Sequence, residues 1–461
     1  MTKRNVALLI LDCVRKDFFE EYAPTLLGMS DVSVERCYAA SSWSTPSHAS
    51  IFTGELPHRH RIHAHNLDFR ELETDTFLRE LDHTVVGTST NLFAGPSFGF
   101  DTLFDEFWNA SRNGLFMGGM NIEKFSQNSS FEGVKKYNEF LLESYRRGCL
   151  TQSLTNGLSV KLNDFIESTP LPRLYDYGAN SMIRGSLDRL PDNEPFFYFA
   201  NFMEAHSPYS PSIMYDSSIY DVPRGWSENT KEWEINENPD EYTNILEGRR
   251  SVYAASVDYL DKKISSFVER LLDRTEKETV IFVTADHGEN LAFEEEGFIW
   301  GHQGSLSHSL LHVPFIAINI PQKYVETLED EPLSHLDLGR VITSVANDEP
   351  LDMLSRRYIP AERIGYGPST EPEDFEYWDR AIRCVYDSET RYEWDSLGKR
   401  LEYEVEDNSK ERKTQEEIKI PDEATELFDE EIEEYKTNVS SRNDIQVDGR
   451  TQDKLSDLGY L

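Results

Sequence analysis

Five short runs of apolar, β-branched and aromatic residues punctuate an otherwise polar chain: VALLIL (6–11), TVVGTST (84–90), FFYFANF (196–202), TVIFVTA (279–285) and VPFIAINI (313–320). Each has the length of one strand and is apolar on both faces, the pattern of strands buried inside a parallel sheet. Helix-like segments lie between them, FLRELD (77–82), NSMIRGSLDRL (180–190) and RSVYAASVDYLDKKISSFVERLLDR (250–274). In the last, Val252, Ala255, Val257, Leu260, Ile264, Phe267, Val268, Leu271 and Leu272 recur at helical spacing. Strands alternating with helices predict an α/β fold, a doubly wound, mostly parallel sheet flanked by helices.

Residues 108–175 break this rhythm with Gly, Asn, Ser and aromatic residues and predict an insertion or lid over the cleft. From about 360 the pattern changes again. RAIRCVYDSETRYEWDSLGKRLEYEVED alternates apolar and polar residues around DSET and DSLGK, which predicts an antiparallel hairpin or meander. The following NSKERKTQEEIKIPDEATELFDEEIEEYKTN reads as solvated and helical in part. The expected division is a catalytic α/β domain over 1–350 and a small C-terminal antiparallel subdomain over 351–461. With no repeat or Gly/Ser linker between them, the second is expected to pack on the first.

Charge narrows the partners. The chain holds 84 acidic and 46 basic residues, a formal net charge of −38. Such a surface repels nucleic acid and anionic lipid. It fits a protein kept soluble in concentrated salt, hence a halophilic host, although an acidic cytosolic protein with an acidic C-terminal region has the same balance. The four cysteines, Cys13, Cys37, Cys149 and Cys384, form no CxxC or Cys/His zinc spacing, so neither a disulfide framework nor a structural metal site is expected. The apolar run Val6 to Leu11 is too short for a signal sequence, and no stretch reaches membrane-spanning length. The expectation is a soluble cytoplasmic protein; its oligomeric state stays open.

Ligands of open α/β sheets bind beyond the carboxyl ends of the strands. There the sequence sets Asp12 after the first run, Asn91 after the second, Met203-Glu204-Ala205-His206-Ser207-Pro208 after the third and Asp286-His287-Gly288-Glu289 after the fourth. Asp12, Asp286 and His287 suit one divalent cation, calcium, magnesium, manganese or zinc. A hydroxyl completing the set would lose its proton easily and become a nucleophile, and SSWSTPSHASIFTG (41–54) offers several. Singly, each is equally consistent with a helix cap or a strand-end turn.

NVALLILDCVRKD, STPSHASIFTG, FFYFANFMEAHSPY, VTADHGE, WGHQGSLSHSLLHVPFI and the closing LGYL, in this order, resemble the sulfatase family of the alkaline phosphatase superfamily. The resemblance implies an alkaline-phosphatase-like fold and metal ligation by Asp12, Ser44, Asp286 and His287. It places the nucleophile at Ser44, in the family's Cys/Ser-x-Pro-Ser-Arg motif. His206 resembles the histidine that contacts the transferred group or protonates the leaving oxygen, and His302 stands where the family has a Lys or His near the same oxygens. His48 occupies the position of the Arg that supports formylglycine. The family's paired Asp is here Asp12-Cys13, and its Lys-Trp-His segment is reduced to Asn91, a candidate substrate contact.

Two mechanisms follow for a hydrolase of ester bonds. Ser44 oxidised to formylglycine would give a sulfuric ester hydrolase. Unmodified Ser44 would act as an alkoxide on phosphate mono- or diesters or in phosphoryl transfer. Either takes a small-molecule or glycan ester as substrate. A non-catalytic scaffold in glycan assembly is a third possibility, against which the retained Asp12, Asp286 and His287 speak. His60, with His58, His63 and His65 in LPHRHRIHAHN, follows the Ser44 segment and is a weaker candidate for lining the cleft. His308 and His312 read as structural, Glu289 as a partner behind the metal ligands, and Thr53-Gly54 as a helix C-cap.

Overall fold

The computed structural model of the protein describes residues 3–110, 120, 125, 133–155, 158, 172–174, 176–226, 232–275, 278–302, 304–352, 356–367, 374–406 and 409–440. Most of the expected insertion at 108–175 and the closing LSDLGYL lie outside the described residues.

All five apolar runs become strands of one seven-stranded sheet: β1 (Asn5–Leu11), β2 (Val32–Ser33), β3 (Thr84–Ser89), β4 (Glu106–Asn109), β5 (Phe196–Phe202), β6 (Thr279–Thr284) and β7 (Phe315–Ile318). Their spatial order is β2-β7-β6-β1-β5-β3-β4. Strands β6, β1, β5, β3 and β4 run parallel, whereas β7 is antiparallel to β6. An apolar run predicts burial but carries no direction, so the reversal of β7 is invisible in its sequence. Every residue of β1, β5 and β6 is buried, because helices cover both faces. Phe199 of β5 packs within 5.4 to 5.7 Å, ring to ring, of Phe52, Phe100 and Phe104. Truncating such a side chain to Ala costs about 3–5 kcal/mol.

Among the helices, α1 (Ser44–Thr53) and α2 (Pro57–His60) follow β2, α3 (Ala179–Arg189) precedes β5, and α4 (Thr243–Arg274) precedes β6. The α4 stripe from Val252 through Ile264 to Leu271 is buried as its spacing predicts, but the helix starts seven residues before the predicted 250, at Thr243. FLRELD forms only a 3₁₀ turn, Phe77–Glu80, being too short to sustain a helix. Helix α1 ends on Gly54 at φ +71°, whose N–H caps the Ser50 carbonyl at 2.8 Å.

The C-terminal region is a five-stranded antiparallel meander: β8 (Ile359–Ile364), β9 (Ala381–Asp387), β10 (Thr390–Asp395), β11 (Arg400–Val405) and β12 (Glu411–Glu416). DSET and DSLGK make the turns. The segment ERKTQE, expected in a solvated and partly helical stretch, is strand β12; an exposed edge strand needs no apolar alternation and is protected by its charges. Helix α5 (Ile432–Ser440) follows. The two sheets share an apolar core: Ile359, Ala361, Ile382, Cys384, Tyr386 and Val405 of the second join that of the first, while the other face of the second packs around Val385, Trp394, Phe428 and Tyr435. They are stitched together where Glu362 N–H donates to Ala40 O at 2.9 Å and Ala64 N–H to Ile364 O at 3.1 Å. Among the described residues no helix is long and apolar enough to cross a membrane.

Candidate active site at the strand ends

Four adjacent parallel strands, β6, β1, β5 and β3, end on the same edge of the sheet and deliver Asp286-His287, Asp12, His206 and Asn91 to one place. Helix α1 meets them with its first residue, Ser44. Gly288 allows the β6 turn to lie against its neighbour, since a Cβ there would collide with the carbonyl oxygen of Ser309. The cluster is deeply set: Asp12, Asp286 and His287 are wholly buried, and Ser44, His206 and His302 are 2–3% exposed. Trp43, Phe93 and Met203, from three of the loops that carry it, join an apolar cluster with Leu67 and Phe98.

Ser44 Oγ donates to Asp12 Oδ2 at 3.4 Å, accepts from Asn91 Nδ2 at 3.0 Å and lies 3.5 Å from His287 Nε2. Asp12 Oδ2 also accepts from Asn91 Nδ2 at 2.7 Å and from Asn201 Nδ2 at 3.0 Å. Ser47 Oγ holds the β6 turn through the Asp286 carbonyl at 2.5 Å and faces His335 Nδ1 at 3.3 Å. His206 Nδ1–H donates to Ser207 O at 2.5 Å and His287 Nδ1–H to Gly288 O at 2.7 Å, and His302 Nδ1 lies 3.1 Å from the Glu289 carboxylate. The imidazole of His302 lies tilted to that of His287 at 4.7 Å and edge-on to that of His206 at 5.3 Å.

The electrostatics are those of a site one positive charge short. Burial opposes the Asp12 charge, yet the imidazoles of His206 and His287 and the Asn201 amide hold its carboxyl down at about 2. Burial, and next the Asp12 charge, pushes the Asp286 carboxyl well up. Asp286 Oδ2 is buried without a hydrogen bond of normal geometry, 3.5 Å from His287 Nε2. Burial in turn opposes the charged forms of His206, His287 and His302, lowering the last to about 4. The metal-ligating atoms of Asp12, Asp286 and His287 lie within 4.8 Å of one another. Two oxygens and an imidazole nitrogen, with an orphaned carboxylate oxygen among them, fit a divalent cation.

The structure thus brings Asp12, Ser44, Asn91, His206, Asp286, His287 and His302 together. His48 is adjacent but turned away from the hydroxyl: its Nδ1–H donates to the Ser44 backbone carbonyl at 2.6 Å, and its ring packs edge-on against Phe100 and Phe199. His60 is not part of the set. Its Nδ1 accepts from Ile62 N–H and its Nε2 meets Ser50 Oγ, both at 3.1 Å, so the ring braces helix α1 from behind. Its three neighbours face the C-terminal sheet or their own loop: His58 pairs with Glu362 at 2.9 Å, His65 with Asp379 at 3.1 Å, and His63 Nδ1 accepts from His65 N–H at 3.3 Å. Glu289 stands behind His302 as expected of a supporting carboxylate.

Sequence reasoning missed Asn201, Cys13 and Arg363. Asn201 is the one carboxamide in FFYFANF, and a buried amide in an apolar strand has to find a partner. Cys13 Sγ lies 3.3 Å from Asp12 Oδ1 and 3.9 Å from His302 Nδ1. Arg363 reaches from β8 to Ser42 Oγ at 3.1 Å and His302 O at 3.3 Å, which couples the second sheet to the site. No local signal announces it.

Comparison with known proteins agrees with this geometry. The family model described as Sulfatase matches residues 30–347, well over half of the chain. N-acetylglucosamine-6-sulfatase of Capra hircus is 24% identical over 291 residues, 57% of this chain and 46% of that protein, so the chain spans about half the length of this relative. Among solved structures, a sulfatase-like protein of Bacteroides thetaiotaomicron superposes with TM-score 0.58 at 13% identity, covering 98% of this chain and 96% of that one. Phosphonate monoester hydrolase from Silicibacter pomeroyi superposes with TM-score 0.55 at 16% identity, covering 87% and 89%. These two likenesses are of fold. The family match settles the assignment: the chain belongs to the sulfatase family.

Proposed function

We propose that the protein is a metal-dependent hydrolase of sulfate esters in which Ser44 supplies the attacking oxygen, as its hydroxyl or after oxidation to formylglycine. The observation that carries this reading is the setting of Ser44 Oγ at the start of α1, within 3.5 Å of Asn91, Asp12 and His287. Asp12, Asp286 and His287, with Ser44 Oγ, would hold one divalent cation, of the calcium, magnesium, manganese or zinc class. Once bound, such an ion draws charge from the non-bridging ester oxygens and lowers the pKa of the attacking hydroxyl. Asn91 orients Ser44 Oγ, and the free N–H groups at the start of α1 favour an anion in front of it. His206 and His302 face the same space. The anionic substrate raises the imidazole pKa values that burial lowers, so that one of them donates a proton to the departing alcohol oxygen. In a formylglycine hydrate the second hydroxyl then expels sulfate and restores the aldehyde. With plain serine, water must cleave the serine ester.

A second reading, hydrolysis or transfer of phosphate or phosphonate esters by unmodified Ser44, is favoured by position 48. His48 is buried, its pKa is lowered by that burial, and it hydrogen-bonds to the Ser44 carbonyl, so it offers no cationic group to a formylglycine. Peptide mass spectrometry of the native protein, with parallel turnover of aryl sulfate and aryl phosphate, separates the two. Loss of one dihydrogen at Ser44 with sulfate turnover is the expected result. Unmodified serine with phosphate turnover moves the assignment to the second reading, and undiminished turnover in Ser44→Ala removes both. The acidic excess supports work in a salt-rich cytoplasm; full folding in low salt would remove that part.

A further inference from the structure

Strand β8 is the edge of the second sheet, paired with β9 on one side only. Its other side docks on the chain that leads into helix α1, where Glu362 N–H donates to Ala40 O at 2.9 Å. The next residue, Arg363, is wholly buried. Its Nη1 donates to Ser42 Oγ at 3.1 Å and to the main-chain oxygen of His302 at 3.3 Å, and its Nη2 donates to Tyr366 O at 2.9 Å. We infer that Arg363 is a positioning residue of the reaction: through one nitrogen it fixes the loop that carries Ser44 against the loop that carries His302, and so brings the attacking oxygen and an imidazole to bear on one ester.

The contacts on either side of the guanidinium support this. Ser44 Oγ meets Asp12, Asn91 and His287, so these bonds tie it to the β1, β3 and β6 ends and leave its distance from His302 to be set by other means. Arg363 Nη1 takes one acceptor from each of the two loops. On the Ser44 side, Ser42 precedes Trp43, whose carbonyl accepts from Ser47 N–H at 3.2 Å to open helix α1, so anchoring Ser42 fixes where the helix begins. On the other side His302 is held twice, its ring by Glu289 and its main chain by Arg363. A second arginine of the same sheet grips this loop further on: Arg380, braced by Asp395 at 3.0 Å, donates to Gly304 O at 3.2 Å. A planar guanidinium presents two such bonds in a fixed geometry, which an ammonium group does not. The separation matters because a shift of about 1 Å at the reacting atoms costs on the order of a hundredfold in rate. The kinetic consequence rests on the hydrolase reading, whereas the bridge between the loops does not.

Arg363→Met, Arg363→Lys and Ser42→Ala in the full-length protein test it, by turnover of an aryl sulfate and an aryl phosphate and by hydrogen exchange read by mass spectrometry. Arg363→Met should lower kcat about a hundredfold while KM stays within about threefold of the parent. Exchange should rise in segments 39–44 and 299–302 and hold in β1 and β5. Arg363→Lys keeps the charge but not the fork, and should recover about tenfold of the lost kcat. Ser42→Ala should lower kcat about fivefold in the parent and less than about twofold on top of Arg363→Met, since both cut the same link. A folded Arg363→Met with parental kcat, a loss carried by KM, or full additivity with Ser42→Ala overturns the inference. Should Arg363→Met fail to fold, parental kcat in both Arg363→Lys and Ser42→Ala overturns it, and losses in both support it. A parent that turns over neither ester removes the hydrolase reading instead, and exchange then decides: a rise confined to the two loops in any of the three variants supports the bridge, and a uniform rise or none overturns it.

Discussion

Two groups of histidines flank the stretch that begins at Ser44, and they are tied to different parts of the molecule. Around the hydroxyl, His206, His287 and His302 are anchored through Nδ1 to a carbonyl or carboxylate close by, and His287 Nε2 lies 3.5 Å from Ser44 Oγ. Behind helix α1 and against the second sheet, His60 accepts at Nδ1 and uses Nε2 on Ser50, while His58 and His65 pair with Glu362 and Asp379. All of these rings are buried except that of His65, which is partly exposed. The difference is what each ring is tied to, strand-end turns and Glu289 around Ser44 in the first group, helix α1, the C-terminal sheet and Asp379 in the second.

The sharpest way to break this comparison is to remove a charge from the cleft group. Asp286→Asn and Ser44→Ala should each lower kcat by roughly 10³-fold, because each removes part of a unit that acts together. The thermal midpoint should hold or rise in Asp286→Asn, since one of two buried like charges disappears. Activity and calorimetry on the same preparations check both. A large fall in stability would mean that Asp286 holds the fold rather than the site.

Next comes the supporting group. Glu362 accepts from His58 N–H at 2.7 Å, pairs with the His58 ring and takes Arg383 Nε at 2.7 Å, and these partners hold its carboxyl, against burial, at about 2. Glu362→Ala leaves Arg383 buried without its carboxylate and should destabilise by about 3–5 kcal/mol. Denaturant midpoints measure it. The folded fraction should keep specific activity near that of the parent, the reverse of the Asp286 result.

What the sequence made legible follows from this division. Strand ends were readable because a buried parallel strand is a continuous apolar run and its first polar residue marks the edge where ligands bind, so Asp12, Asn91 and Asp286 could be named without neighbours. The direction of β7 and the existence of β12 were not, because apolar runs are blind to direction and a charged edge strand looks like a solvated helix. His60 was misjudged as a cleft candidate for a different reason: four histidines in eight residues announce chemistry, yet only the three-dimensional hydrogen bonds show that its ring braces helix α1. Asn201 left a faint signal, a carboxamide in an aromatic strand. Arg363 left none, since its partners at the site, Ser42 and His302, lie more than sixty positions away.

Asn201 gives an intermediate test. Its amide is one of the donors on Asp12 Oδ2, and hydrogen bonds to a charged acceptor contribute about 1.5–3 kcal/mol. Asn201→Ala should therefore cut kcat/KM by roughly ten- to a hundredfold. The thermal midpoint should move far less than in Glu362→Ala. Equal loss in both readouts would place Asn201 with the supporting group.

The finest distinction is pH. Burial lowers His60 and His63 to about 3, well below the 6.5 expected of an exposed imidazole. Between those values the unfolded chain binds more protons than the folded one, so stability rises with pH; it is complete above 6.5 and is lost as the pH falls toward 3. Each such histidine contributes a slope of about 1.4 kcal/mol per pH unit in that window. Urea midpoints measured from pH 7 to 5 should fall, and His60→Gln, which keeps a donor toward Ser50, should flatten the slope while leaving turnover at pH 7 unchanged. Were turnover to fall with the slope unaltered, His60 would belong with the cleft group after all, and its tie to helix α1 would no longer separate the two.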